Sequence, residues 1–171
     1  MSVPRAVLTP GGLRLGRRLI PCTIGKGGVR GDKREGDGAT PAGVLTVVGA
    51  LYRPDRMARP LPWARAIGPR DLWSDGGADP DYNHLVRAPH GFSHERLRRG
   101  DPMYDLVLLT DWNWPHAVPG RGSAIFLHQW RRPGYPTEGC IAFARADLLR
   151  VARALPPGAE ITVPEALIGR V

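Results

Sequence analysis

The sequence predicts a mostly β fold with one or two helices packed on its sheets. Short aliphatic and β-branched runs recur along the 171 residues, each bounded by turn formers. Gly 22 and Pro 18 make up nearly a quarter of the chain, which suits a loop-rich, strand-rich protein better than a helical bundle. Only one segment carries a convincing helical stripe. With 42% apolar and 23% charged residues the composition is globular, and disordered tails and coiled coils are excluded. The length corresponds to about one domain, here residues 1–171.

The strand-like runs are residues 19–24, 44–52, 84–88, 104–110 and 124–128. Residues 25–38 are too charged and glycine-rich for a strand and read as a solvated hairpin loop. Residues 53–89 form a long irregular stretch predicted to fold over the sheet, and loops of that length are usually functional. A short helix is expected at residues 93–99, with Ser93 as its N-cap. Residues 146–155 place Leu148, Val151, Ala152 and Leu155 on one helical face. Pro156-Pro157-Gly158 stops that helix, and residues 159–163 read as a closing strand.

Lys+Arg 24 against Asp+Glu 16 gives a net charge of +8, and only Lys26 and Lys33 are lysines. Arginine presents a planar fork to carboxylate and phosphate oxygens. The charge therefore suits nucleic acid, an acidic membrane surface or a polyanionic small substrate, without choosing among them. The two cysteines, Cys22 and Cys140, make no disulfide framework in a chain of this length. No run approaches the roughly 18 apolar residues of a spanning helix. The first residues hold no apolar stretch of leader type, so a cytoplasmic location is expected.

The chemistry concentrates in residues 123–143, SAIFLHQWRRPGYPTEGCIAF. A strand delivers His128 at its end, a loop follows, and Cys140 comes after Thr137-Glu138-Gly139. A free thiol has a pKa near 8.5, so at neutral pH only a few per cent is thiolate. A neighbouring imidazole overcomes this by taking the proton and returning it to a leaving amine. Gly139 permits a tight turn that lets consecutive N–H groups face a developing oxyanion. A buried structural cysteine is the competing reading of the same residues.

This segment resembles the signature of the L,D-transpeptidase catalytic domain family (YkuD-like), in which a His near a strand end precedes Ser/Thr-x-Gly-Cys. Here those positions are His128 and Thr137-Glu138-Gly139-Cys140. Upstream, Thr40-Pro41-Ala42-Gly43 resembles the family's Thr-Pro-x-Gly turn, and downstream Asp147-Leu148-Leu149 and Ile161-Thr162-Val163 match its closing helix and strand. The resemblance runs from about residue 19 to 163 and implies a β-sandwich-like fold without a cofactor. It implies a thioester acyl-enzyme on peptidoglycan stem peptides, formed at the bond between the diamino acid and the following D-Ala. By the same resemblance Cys140 is the nucleophile, His128 the general base, and the N–H groups of Gly139 and Cys140 the oxyanion donors. Thr137 supports the loop, and Arg131 and Arg132, with Arg121 as a weaker candidate, bind substrate carboxylates. Glu138 stands where the family often has His, and Ala142 where Arg is common, which bears on substrate positioning. With water as acceptor the expected reaction is L,D-carboxypeptidase trimming of soluble muropeptides; an amine acceptor gives 3–3 cross-links. Carbapenem-type inhibitors are expected to acylate the thiol.

Two other classes compete. His84, His90 and His94, with Asp81 and Glu95 nearby, raise a zinc peptidase, but Pro89 and Gly91 interrupt any helix and no His-Glu-x-x-His occurs. No metal is expected, and His94 is assigned instead to shaping the substrate groove. The loop at residues 25–38 lacks the Gly-Lys-Ser/Thr ending of a phosphate-binding loop. Trp63, Trp73, Trp112, Trp114 and Trp130 do not alternate with basic residues as in a nucleic-acid-binding strand, so no nucleic-acid partner is expected.

Overall fold

The computed structural model describes residues 3–170. Among them are fourteen strands and one α-helix, so the mostly β expectation holds. In chain order the strands are β1 (Arg5–Thr9), β2 (Gly12–Leu15), β3 (Arg18–Ile20), β4 (Val29–Arg30), β5 (Thr40–Pro41), β6 (Gly43–Tyr52) and β7 (Ala64–Ala66). They continue with β8 (Asp71–Ser74), β9 (Leu85–Arg87), β10 (His94–Arg96), β11 (Leu106–Thr110), β12 (Phe126–Gln129), β13 (Ile141–Phe143) and β14 (Glu160–Val163). The helix, α1, is Arg145–Ala154.

The main sheet runs β13-β12-β11-β6-β14-β1-β2-β3, with β7 added beside β6. Its inner strands β11 and β12 alternate from face to face. In β11, Leu106 and Leu108 join one buried cluster while Val107 joins another. In β12, Leu127 enters the first and Phe126 the second. Pleating sends successive side chains to opposite faces, so the sheet carries a core on each side. The first core is closed by Leu148, Val151 and Ala152 of α1, the stripe read from the sequence. The second is closed by Trp73 of β8 and Leu97 just after β10. Burying each such large apolar side chain contributes roughly 1.5–3 kcal/mol.

Three local expectations are corrected. Residues 93–99 are not helical: His94–Arg96 is a strand, antiparallel to β8 with Glu95 opposite Trp73. His94 and Arg96 face solvent and Glu95 turns inward, a period of two that a helix does not give. The stretch at residues 53–89 is not wholly irregular, because it supplies β7, β8 and β9. Residues 25–38 are not a solvated hairpin loop. Lys26 N–H donates to the Thr137 carbonyl and Thr137 N–H to the Ile24 carbonyl, which lays this segment along the loop that carries Cys140. Within it Lys33 is buried, its Nζ donating to Asp37 Oδ1 at 2.6 Å and to the Arg34 carbonyl at 2.5 Å.

Candidate active site

The parallel register of β12 and β13 pairs His128 with Ala142, two residues after Cys140. Pleating therefore sets Cys140 and His128 on one face of the sheet. Both line a cavity of about 420 Å³, whose walls also include Glu35, Glu95, Arg99, Tyr104 and Arg131.

Cys140 is 8% exposed. Its Sγ–H donates to the Ala124 carbonyl at 3.0 Å, and its sulfur accepts the Phe126 N–H at 3.4 Å. Burial pushes the thiol up to about 12, and the Phe126 N–H only partly offsets this. His128 is 2% exposed, and burial pushes its imidazole down to about 4. Its Nδ1 lies 2.7 Å from the Gln129 carbonyl. A carbonyl only accepts, so Nδ1 carries the proton and Nε2 keeps its lone pair. The Tyr104 ring packs edge-on against the imidazole at 5.4 Å. Among the described residues no hydrogen bond joins His128 to Cys140. The resting pair is thus a neutral thiol parked on a carbonyl and a neutral imidazole whose basic nitrogen is unprotonated.

The loop before Cys140 is fixed from both sides. Thr137 Oγ1–H donates to the Cys140 carbonyl at 2.6 Å and accepts the Gly139 N–H at 3.0 Å. Of the two N–H groups expected to face an oxyanion, that of Gly139 is therefore spent on the loop's own hydroxyl. The Cys140 N–H has no acceptor among the described residues. Gly139 adopts φ +142°, and a Cβ there would meet the Ala39 carbonyl oxygen at 2.8 Å. Across the interface Thr40 Oγ1–H donates to the Gly139 carbonyl at 2.8 Å and accepts the Gly25 N–H at 2.9 Å.

The cavity also holds an acidic side. Tyr104 O–H donates to Glu95 Oε2 at 2.7 Å, and Tyr82 O–H donates to Glu35. Burial holds the Glu95 carboxyl above its usual range. The Arg99 guanidinium lies 5.2 Å from the Tyr104 ring and is paired with Asp101 at 2.7 Å. Spacing does not mark Tyr104, and it marks Glu95 only as a neighbour of the zinc-candidate histidines, because both come from strands and turns outside residues 123–143. Thr40 did carry a signal, in its Thr-Pro turn.

The other expected residues divide. Arg131 and Glu138 line the cavity, although Glu138 also pairs with Lys26 at 2.8 Å. Arg132 is not on the cavity wall and stacks 4.5 Å from the Tyr135 ring. Arg121 sits 5.6 Å from the Trp112 ring and borders a separate hollow beside residues 31–34. His94 lines a neighbouring cleft instead of this cavity. The zinc arrangement does not form. His84 packs on Trp114, His90 Nε2 is bound to Asp79 at 2.6 Å, and among the described residues no three such side chains are placed to share a metal.

Comparison with curated proteins and with solved structures gives no match. The family model of the L,D-transpeptidase catalytic domain (YkuD) matches residues 5–163, and with that span covering almost the whole chain the protein belongs to this family.

Proposed function

We propose that the chain is an L,D-carboxypeptidase that removes D-Ala from the tetrapeptide stems of soluble muropeptides through a thioester at Cys140. The observation that carries this reading is the shared cavity of Cys140 and His128, with His128 fixed as the tautomer that accepts a proton at Nε2. Substrate binding displaces the thiol from the Ala124 carbonyl, and its proton passes to Nε2. The sulfur adds to the carbonyl of the diamino acid, and the Cys140 N–H donates to the developing oxyanion. The imidazolium then gives its proton to the departing D-Ala nitrogen as the C–N bond breaks. Water, deprotonated by the same Nε2, attacks the thioester; the acid is released and the thiol recovers its proton. Arg99 and Arg131 on the cavity wall suit the carboxylates of such a stem.

A second reading has its own observation. Glu35 and Glu95 line the same cavity, and an acidic wall favours an amine, the acceptor of a 3–3 cross-link. Mass-spectrometric product analysis separates the two, using a free disaccharide tetrapeptide and, separately, intact sacculi. Tripeptide plus D-Ala from the soluble substrate is expected, with loss of at least about a thousandfold in turnover for Cys140→Ala. Predominant 3–3 dimers would overturn water as the acceptor. Undiminished turnover in Cys140→Ala would overturn the nucleophile.

A further inference from the structure

A cleft of about 820 Å³ opens beside the catalytic cavity, and its walls are cationic. Arg53, Arg56, Arg96, Arg98 and Arg99 line it, with His90 and His94 alongside. Arg99 also lines the catalytic cavity, so the two hollows share a wall. Asp71 is the one acidic residue among the described lining, and it already faces Arg87 at 3.6 Å.

The guanidinium groups are held in place. Arg53 is 4% exposed, donates to both carboxylate oxygens of Asp55 at 2.9 Å, and caps the Arg99 carbonyl at 2.6 Å. Arg56 donates at 2.8 Å to the carbonyls of Gly100 and Asp101 and at 2.9 Å to Asp105. Asp55 is shared, meeting Arg98 only at 3.3 Å, and Asp105 is divided between Arg56 and Arg145. Arg96 has no acidic partner among the described residues, and it projects from β10 on the exposed side. Cations thus outnumber the carboxylates they meet, in a concavity whose protein walls concentrate the field.

We infer that this cleft is an anion subsite, receiving phosphate or carboxylate groups of the substrate that lie remote from the reacting bond. Arg96 and Arg98 supply the open forks, and the Arg53–Asp55 and Arg56–Asp105 pairs set the frame around them. Through Arg99 a bound anion is continuous with the catalytic cavity. The assignment to substrate rests on the proposed reaction; the anion site itself does not. A carboxylate source would be the far end of a peptide stem, and a phosphate source a phosphorylated sugar end.

The test is isothermal titration of inorganic pyrophosphate and, separately, citrate into Cys140→Ala protein, which reads binding without turnover. One site is expected, weakened at least about tenfold by Arg96→Ala/Arg98→Ala. Arg17→Ala/Arg18→Ala, on the exposed surface around β3, removes the same charge and should leave binding within about twofold. Tighter pyrophosphate than citrate assigns the phosphate source, and the reverse order the carboxylates. No saturable binding, or equal weakening by both pairs, overturns the site. With Cys140 present, the Arg96/Arg98 pair should raise KM at least about tenfold on the anionic muropeptide, with kcat unchanged. An unmoved KM beside weakened pyrophosphate binding overturns the link to substrate.

Discussion

Asn83 Oδ1 accepts the N–H of Ala124 at 2.9 Å, and so sets the carbonyl on which the Cys140 thiol rests. Both residues hold left-handed backbone, Asn83 at φ 60° and Ala124 at φ 53°. Asparagine tolerates that region, whereas alanine pays about 1–2 kcal/mol for it. The Asn83 side chain is saturated, because Oδ1 also takes Trp73 Nε1 at 3.0 Å and Nδ2 donates to the Trp112 and Asn113 carbonyls. One buried amide thereby ties three loops to the thiol's acceptor.

Asn83→Ala should destabilise the protein by about 2–4 kcal/mol, the cost of leaving several buried partners unpaired. With the Ala124 backbone released, acylation by a carbapenem should also slow. Urea denaturation and the rate of mass gain measure the two effects. An Asn83→Ala protein with native stability and native acylation rate would refute the role.

The thiol should be inert to simple alkylation. With Cys140 pushed up to about 12 and Cys22 to about 11, both by burial, almost no thiolate exists at neutral pH. Iodoacetamide should label the folded protein at least about a hundredfold more slowly than the urea-unfolded chain. A carbapenem, which docks first and leaves the proton to His128, should still acylate it, and the adduct should vanish in Cys140→Ala. Rapid iodoacetamide labelling of Cys140 in the folded state would count against the neutral resting pair.

Acid should expose the burial of His128. Its imidazole falls from the ordinary 6.5 to about 4 in the folded state, so below pH 6.5 the unfolded chain takes up a proton that the folded chain refuses. Stability should therefore fall as pH drops from about 6.5 to 4, by at most about 3 kcal/mol, and this group should cost nothing above that window. Asp37, Asp79 and Asp101 are held below the ordinary 3.8, so their stabilisation is lost only at lower pH. Glu95 is held above its ordinary 4.5 and acts the other way, gaining its proton more readily when folded. His128→Gln should flatten the urea-derived stability profile between pH 6.5 and 4. An unchanged slope would exclude His128 as its source.

Local pattern reached the parts whose signal is local. The stripe of Leu148, Val151 and Ala152 is a helix face wherever it packs, and a strand ending at His128 followed by Thr-x-Gly-Cys remained legible in one short window. Residues that act through distant partners were not. β10 carries His94, Glu95 and Arg96, with no apolar member, because its inward residue is a glutamate whose partner is the Tyr104 hydroxyl. β1 forms a hairpin with β2 across Pro10-Gly11, but its other edge pairs in parallel with β14, from the opposite end of the chain, and nothing near it in sequence announces that partner. Arg121, Arg131 and Arg132 look alike as loop arginines. Only Arg131 lines the cavity; Arg132 lies over the same Tyr135 ring as Arg131, and Arg121 over Trp112, and no pattern local to these loops separates the three.

Thr40 offers the sharpest test of how the loop is set. Its hydroxyl donates to the Gly139 carbonyl at 2.8 Å and accepts the Gly25 N–H at 2.9 Å, and Thr40 is fully buried. The Gly139 carbonyl and the Cys140 N–H belong to one peptide plane, so fixing the first fixes the direction of the second. That N–H is the donor left for an oxyanion once Thr137 has taken the Gly139 N–H. Thr40→Val keeps the volume and removes the hydroxyl, stranding a buried donor and a buried acceptor at about 2–4 kcal/mol. If the plane matters to catalysis, the loss falls on the transition state: kcat on the soluble tetrapeptide should drop about a hundredfold while KM changes little. Thr40→Ser restores the hydroxyl and should recover most of kcat, although it gives up a buried methyl. Thermal unfolding of both variants keeps the comparison with folded protein. Loss of stability in Thr40→Val without any loss of kcat would confine Thr40 to holding the fold, and a Thr40→Ser variant as slow as Thr40→Val would remove the hydroxyl from the account.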